Sequence, residues 1–336
     1  MEKLKHALPR LLCLLAALAL APACVVPACS QAAEADPAFP SRPLHFIVPY
    51  PPGGGNDLFA RVVGQKIAEN TGQAVIVENR PGAAGLIAGD YVARSAPDGY
   101  TFMVDQSSIA TNPLIYKKTA FDVRHDLAPV IRAATLDNVI LVSTASSIHS
   151  VKDLIEQARR QPGKLAYGSV GIGSSQHLAM ELLSHQAGIK LLHVPYKGTA
   201  AAVTAVSSGE IQVFLISAAT GQSYVKSGKV RAIATTGSKR SSIMPDVPTV
   251  KESGLPDYVN YNWLGIFAPA ATPQPVVDRL NALFSKAMAD RKVKNTLDVQ
   301  GWQLVGGTPQ ALRDTVDGEM RRYEQIVREQ NIRIDQ

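Results

Sequence analysis

The chain is poor in cysteine, and the few cysteines are badly placed for chemistry. Of its 336 residues only Cys13, Cys24 and Cys29 are cysteines, and all three precede Ala35. If that leader is removed, a disulfide framework, a cysteine metal site and a thiol nucleophile are all excluded. Long apolar runs are also missing. The one uninterrupted run, Leu11 to Leu20, is too short to span a bilayer and is followed by Pro22 and Pro27. Basic Lys3, Lys5 and Arg10 precede it, and Ala33-Glu34-Ala35 fits a small-residue cleavage site. Residues 1–35 therefore read as a cleaved signal peptide, with cleavage near Ala35 and the periplasm as address. A lipoprotein anchored at Cys24 or Cys29 is disfavoured, because proline occupies the segments just before both.

A strong excess of one charge sign is lacking as well. Lys and Arg total 34 against 28 Asp and Glu, for a net charge of +6. The basic residues are scattered, without a dense patch or interleaved aromatics, so nucleic acid is not an expected partner. Enzyme signatures are absent: no H-E-x-x-H, no G-x-S-x-G, no P-loop and no G-x-G-x-x-G. His177, His185 and His193 lack a metal-ligand spacing. No catalytic residue, metal or cofactor is expected, and the chain reads as a binding protein rather than an enzyme.

What the chain does have is two glycine-rich turns, each running from an apolar strand into a helix. The first is Tyr50-Pro51-Pro52-Gly53-Gly54-Gly55-Asn56-Asp57, and the second runs from Gly168 through Ser169, Gly171 and Gly173 to Ser174, Ser175 and His177. Such turns point backbone N–H groups at whatever lies above them, and the helix N-terminus behind favours negative charge. Two of them in different halves of one chain suggest an anion held between two lobes.

Strand and helix patterns alternate over most of the chain. Strands are expected at Phe46–Tyr50, Ala74–Glu78, Tyr100–Asp105, Val139–Val142, Leu165–Tyr167, Leu191–Pro195, Ile211–Ile216, Val230–Thr235 and Trp263–Ala268. Helices are expected at Leu58–Glu69, Gly85–Arg94, Val151–Arg160, Ser174–Ala187, Ala200–Ser207, Pro275–Ala289 and Pro309–Arg328. This is an α/β chain with mainly parallel sheets. No flexible linker separates the halves, which favours two lobes joined by crossing strands, with Val139–Val142 and Trp263–Ala268 as candidates. The expected division is residues 36–138 plus 263–336 for the first lobe and 139–262 for the second. The last helix, with Leu312, Val316, Met320, Tyr323 and Val327 on one stripe, is expected to pack back on the first lobe.

The candidate ligand contacts follow the turns. Gly53, Gly54 and Gly55 offer N–H groups on one side, and Ser169, Gly171, Gly173, Ser174 and Ser175 do so on the other. Ser174 or Ser175 also fits a helix cap, with His177 in a local hydrogen bond. Asp57 reads either as a cap for the first helix or as the receiver of a ligand ammonium group. Asn56 can donate and accept, so it reads either a ligand's polar edge or serves the turn alone. His193-Val194-Pro195-Tyr196-Lys197-Gly198-Thr199 adds Tyr196 as a cover and Gly198 as an N–H donor. Gly82 and Ala83 form another small-residue turn, and Gln106, Ser107 and Ser108 follow the third strand. All could lie at the C-terminal edge of parallel strands, where α/β folds hold ligands. Several neutral donors converging on a carboxylate can hold it without an arginine.

The motifs resemble a known family, the extracytoplasmic solute receptors of tripartite tricarboxylate transporters, or Bug receptors. The matching stretches are Val48–Asp57, Val77–Ala83, Pro97–Thr101, Gly168–Leu178, His193–Thr199 and Pro245–Thr249 before Glu252. The resemblance implies a two-lobed periplasmic binding fold of type II, and a carboxylate gripped by Tyr50–Asp57 and Gly168–Ser175 with Tyr196–Gly198 alongside. The chain is then read as a monomer whose partners are a small carboxylate or dicarboxylate and the permease subunits of such a transporter; the alternatives are a sensory receptor that presents its ligand to a membrane sensor kinase, and an enzyme acting on a carboxylate. Thr204-Ala205 and Gly209-Glu210-Ile211-Gln212 depart from the usual pattern, so the resemblance does not carry the ligand's identity across.

Overall fold

The computed structural model describes residues 39–334. The export signal expected at 1–35 lies outside the described residues.

The chain opens as three parallel strands. Strand β1 (Leu44–Val48) runs between β2 (Val75–Asn79) and β3 (Thr101–Gln106). Helix α1 (Gly55–Thr71) and helix α2 (Leu86–Ala93) make the connections, and helix α3 (Ser108–Ile115) follows β3. Strand β4 (Leu127–Ser143) then runs for 17 residues. Beyond it come α4 (Val151–Arg160), β5 (Ala166–Ser169), α5 (Ser175–Ala187), β6 (Leu192–Pro195), α6 (Thr199–Ser208), β7 (Val213–Ser217), α7 (Ala218–Lys226) and β8 (Val230–Thr235). The chain closes with β9 (Tyr261–Pro269), α8 (Gln274–Met288), α9 (Arg291–Asp298), β10 (Trp302–Leu304) and α10 (Pro309–Glu329).

Strand β4 joins the two lobes. Its first part, Leu127–Asp137, pairs antiparallel with β9, and Ala134–Leu136 also pairs with β10. Its last part, Asn138–Ser143, pairs with β7 and β8 instead. The first lobe's sheet thus reads β2-β1-β3-β9-β4, and the second continues β4-β7-β5-β6. The expected segment Val139–Val142 is the distal end of this strand. The return crossing begins just before β9, where Asn260 donates its N–H to the Thr236 carbonyl at 2.9 Å. At the crossing, Asn138 donates its N–H to Thr236 Oγ1 at 3.0 Å, and its side-chain amide reaches Asn260. Polar side chains satisfy the backbone where the ladder changes partners.

Each lobe has its own core. Phe46, Phe102 and Phe284 meet edge-on or tilted with centroids 4.9–5.5 Å apart in the first. Tyr167, Leu183, Leu215 and Tyr258 are buried in the second. Helix α10 corrects one expectation. Thr308 caps it by accepting from Ala311 N, with Pro309 in its first turn. Its buried stripe then divides: Leu312, Val316 and Met320 enter a first-lobe cluster with Met103 and Phe267, whereas Tyr323, Ile326 and Val327 enter the second core. The helix therefore ties both lobes rather than returning to one. Its length, about 30 Å at 1.5 Å per residue, suffices to span both.

Candidate functional site

Between the lobes lies a cavity of about 370 Å³. The first lobe contributes Tyr50, Ala84, Gln106, Ser108 and Asn112, together with Asn262 of β9. The second lobe contributes the turn from Val170 through Gly173, then Ser174, Ser175 and Gln176. Ile115, Tyr116 and Ile334 complete one side. No charged side chain among the described residues lines it. The volume suits a small organic ligand.

The second turn reaches the cavity because it is held by its own side chains. Ser174 caps α5 by accepting from His177 N at 3.3 Å. His177 Nδ1 accepts from Gly173 N at 3.0 Å, so this ring is the Nε2–H tautomer when neutral. His193 stacks on His177 with centroids 3.8 Å apart, and its Nε2 lies 2.6 Å from Ser169 Oγ. Burial pushes the His177 pKa down to about 3, helped by the neighbouring His193, whose own burial lowers it to about 4. Both rings are thus neutral near pH 7. Gly171 N donates to Ser169 Oγ at 3.1 Å. Ser169 is fully buried behind the turn, so its place in the expected contact set is corrected: it braces the loop. Gly171 and Gly173 have φ of 139° and 75°, conformations that favour glycine. The N–H groups of Gly171 and Gly173 are consumed internally. The donors left over include those of the first turn of α5, at Ser175 and Gln176, which have no acceptor within the helix.

The first turn is built differently. Helix α1 starts at Gly55, three residues before the expected Leu58, so Asn56 and Asp57 belong to the helix. Asp57 Oδ2 accepts from Gly53 N at 3.0 Å and from Arg61 Nε at 3.0 Å, while Oδ1 accepts from Asn79 at 3.0 Å and pairs with Arg61 at 2.9 Å. Burial raises its pKa, but these hydrogen bonds and the Arg61 charge outweigh that and bring it down to about 2. Asp57 is therefore a brace for the turn, with no free oxygen for a ligand; it holds the Gly53 N–H ahead of the helix, whose N-cap Gly54 has no side-chain cap bond. Gly53, Gly54 and Gly55 are exposed and stand outside the cavity lining. Gly55 faces the Trp302 ring, 3.2 Å from a Cβ built there. Asn56 is buried, with its Nδ2 lacking a protein acceptor, and also stands outside the lining.

Below Tyr50 the floor carries a buried acid. The Tyr50 hydroxyl donates to Asp105 Oδ1 at 3.1 Å and lies 3.0 Å from Ser108 Oγ. Burial lifts the Asp105 pKa to about 7, against the lowering effect of hydrogen bonds from Gln106 N and Tyr50. Ser107 donates to Asn262 Oδ1 at 2.8 Å and so links β3 to β9 at the base of the cleft. Gly82 and Ala83 stand beside the lining, and the neighbouring Ala84 enters it. Ala83 and Ala84 both have positive φ, 45° and 52°, and Asn112 holds Ala84 O at 2.9 Å. Strain of this kind, about 1–3 kcal/mol per residue, collects where a backbone must take a set position.

The third candidate segment is corrected in part. Gly198 donates its N–H to the Tyr196 carbonyl at 3.0 Å, so it offers no free donor. Tyr196 donates its hydroxyl to Glu210 at 2.8 Å, and its ring lines an adjoining groove rather than the cavity itself. Sequence reasoning missed Asn112, Ile115, Tyr116, Ile172, Asn262 and Ile334 as lining residues. They lie outside the glycine motifs, except Ile172, whose apolar side chain carried no polar signal.

Two lobes joined by crossing strands around a cleft define a periplasmic binding protein fold. The chain belongs to the family described as "Tripartite tricarboxylate transporter family receptor", whose model matches residues 59–332. It is 33% identical over 293 residues to protein BugT of Bordetella pertussis, covering 87% of this chain and 90% of that one. Among solved structures it is similar to Rpa4515 of R. palustris with adipate, at 32% identity and TM-score 0.74, covering 88% of this chain and 100% of that one. It is also similar to MatC of Rhodopseudomonas palustris with bound malate, at 29% identity and TM-score 0.69, covering 86% and 100%.

Proposed function

We propose that this chain is a periplasmic solute-binding receptor that captures a small carboxylate between its lobes and delivers it to the membrane permease of a tripartite tricarboxylate-type transporter. The observation that carries this reading is the cavity itself. It joins the N-terminus of α5 to Tyr50, Gln106, Ser108, Asn112 and Asn262, all neutral, with no charged side chain among the described lining residues. A helix N-terminus contributes about 0.3–1 kcal/mol toward a nearby anion when exposed and up to ~2 kcal/mol when partly buried. Neutral donors add charge-assisted hydrogen bonds to a carboxylate. They also carry no strong counter-charge that would trap the ligand after the lobes separate. The bound adipate and malate of the two similar structures support the same ligand class.

The proposal includes no turnover. Ser169 and His193 approach at 2.6 Å, as a nucleophile and base would, but Ser169 is fully buried. Among the described residues no helix is long and apolar enough to cross a membrane, which agrees with a receptor that diffuses to its permease. Isothermal titration of the processed chain with mono-, di- and tricarboxylates, followed by recovery of the ligand, tests the reading. Saturable binding of one acid that is recovered unchanged is the expected result. Chemical conversion of that acid, or no binding by any of them, would overturn it.

A further inference from the structure

The cavity does not end at its polar donors. It opens onto a wider groove of about 670 Å³, and the two share Val170, Gly171, Ile172 and Ile334. At this junction two isoleucines from separate segments line both spaces, Ile172 at the tip of the second turn and Ile334 beyond α10, with the buried Ile115 at the end of α3 beside them. Ile334 is anchored by backbone. Ile334 N donates to Ile115 O at 3.1 Å, and Ile334 pairs with Tyr116 as a parallel bridge. The second turn closes onto the same wall. A Cβ built on Gly173 would stand 3.1 Å from Ile115 and 3.5 Å from Ile334. Ile172 remains 52% exposed. One exposed isoleucine carries no message, but this one lines both spaces together with Ile334.

Ser108, Asn112, Ser174 and Ser175 line the cavity alone, whereas Ile172 and Ile334 line both the cavity and the groove and their side chains offer neither donor nor acceptor. A hydroxyl placed against the isoleucines would lose water without a replacement partner, whereas a hydrocarbon would gain by being covered. Resting on the carboxylate reading above, we propose that the ligand is a carboxylate with a hydrocarbon body. Its acid group meets Ser108, Ser174 and Ser175, its body lies along Ile172 and Ile334, and the segment after α10 is a specificity-determining wall. At its outer end the groove is bordered by Lys197 and Arg333, so a second acid group at the far end of the body is tolerated.

Titration of the processed chain with succinate, adipate, suberate, malate and citrate tests this. Affinity should rise about 2- to 4-fold for each added methylene, and malate should bind more weakly than succinate. Ile334→Ser and Ile172→Ser, checked for native thermal unfolding, should lower suberate affinity about tenfold while leaving succinate within about twofold. Tighter binding of malate or citrate than adipate would overturn the proposal while leaving the carboxylate reading intact. So would an equal loss for succinate and suberate in Ile172→Ser, whose side chain is exposed. Failure of all five acids to bind would overturn the carboxylate reading and this proposal with it.

Discussion

The two glycine turns perform the same backbone task with opposite chemistry. The turn before α1 is braced by charge, with Asp57 gripped by Arg61, Asn79 and the Gly53 N–H. The turn before α5 is braced by neutral groups: Ser169, the Ser174 cap, and the stacked His177 and His193. The neutral turn lines the cavity from Val170 to Gln176, whereas the charged one reaches it through Tyr50 alone. An ionised carboxylate beside a bound acid would repel it, so a charged brace belongs on a turn set back from the ligand. The ligand-side turn uses imidazoles that burial keeps uncharged.

This contrast predicts different responses to acid. His177 has a folded pKa depressed to about 3, below its unfolded value near 6.5. Its contribution is fully present above pH 6.5 and is lost as the pH falls toward the folded value, because the unfolded chain binds the proton first. The slope approaches about 1.4 kcal/mol per pH unit, so roughly 3 kcal/mol of the loss between pH 6.5 and 4 belongs to His177, and the buried His193 adds its own over the same range. Urea unfolding of the native chain and of His177→Gln across that range measures the difference, and the variant's profile should be less steep by about that amount. An unchanged profile in the variant would break the comparison.

Asp57 loses its contribution in the same direction, as the pH falls, but in a lower window. Its folded pKa of about 2 lies below the ordinary value of 3.8, so its stabilisation persists above pH 4 and is lost only as the pH falls through 2. Asp57→Ala should cost about 2 kcal/mol at pH 7, a figure reduced because Arg61 is half exposed. The loss should show the same size at pH 5 and pH 7 in denaturant titrations. A loss that disappears at pH 5 would show that the first turn is not held by an ionised carboxylate.

Much of the framework was legible from local pattern. Helix α4 and strand β8 fall where periodicity places them, at Val151–Arg160 and Val230–Thr235. Ser174 and Thr308 act as the caps their positions suggested. Helix α3 escaped notice because Pro113 interrupts a short segment with no amphipathic stripe. Only the end of β4 was seen, since Pro129, Arg132 and Asp137 break the apolar run of a strand buried on both faces. The site was half legible. The glycine motifs marked two turns, of which the second lines the cavity and the first contributes Tyr50 alone; which N–H groups remain free depends on partners such as Asp57 and Ser169, and only the fold reveals those bonds. Ile115 and Ile334 are 219 residues apart and carry no polar signal; the parallel bridge beside the cleft brings them together.

The central claim is that a carboxylate is held here by neutral donors rather than by a fixed cation. Titrating a bound monocarboxylate, which has no second acid group to meet Lys197 or Arg333, at low ionic strength and again near 0.3 M salt tests it most directly. Hydrogen bonds and a helix N-terminus inside a closed cleft are little screened, so the affinity should change by about twofold or less. A fall of about tenfold or more would place the acid on an exposed charge such as Lys197 or Arg333 and contradict the account.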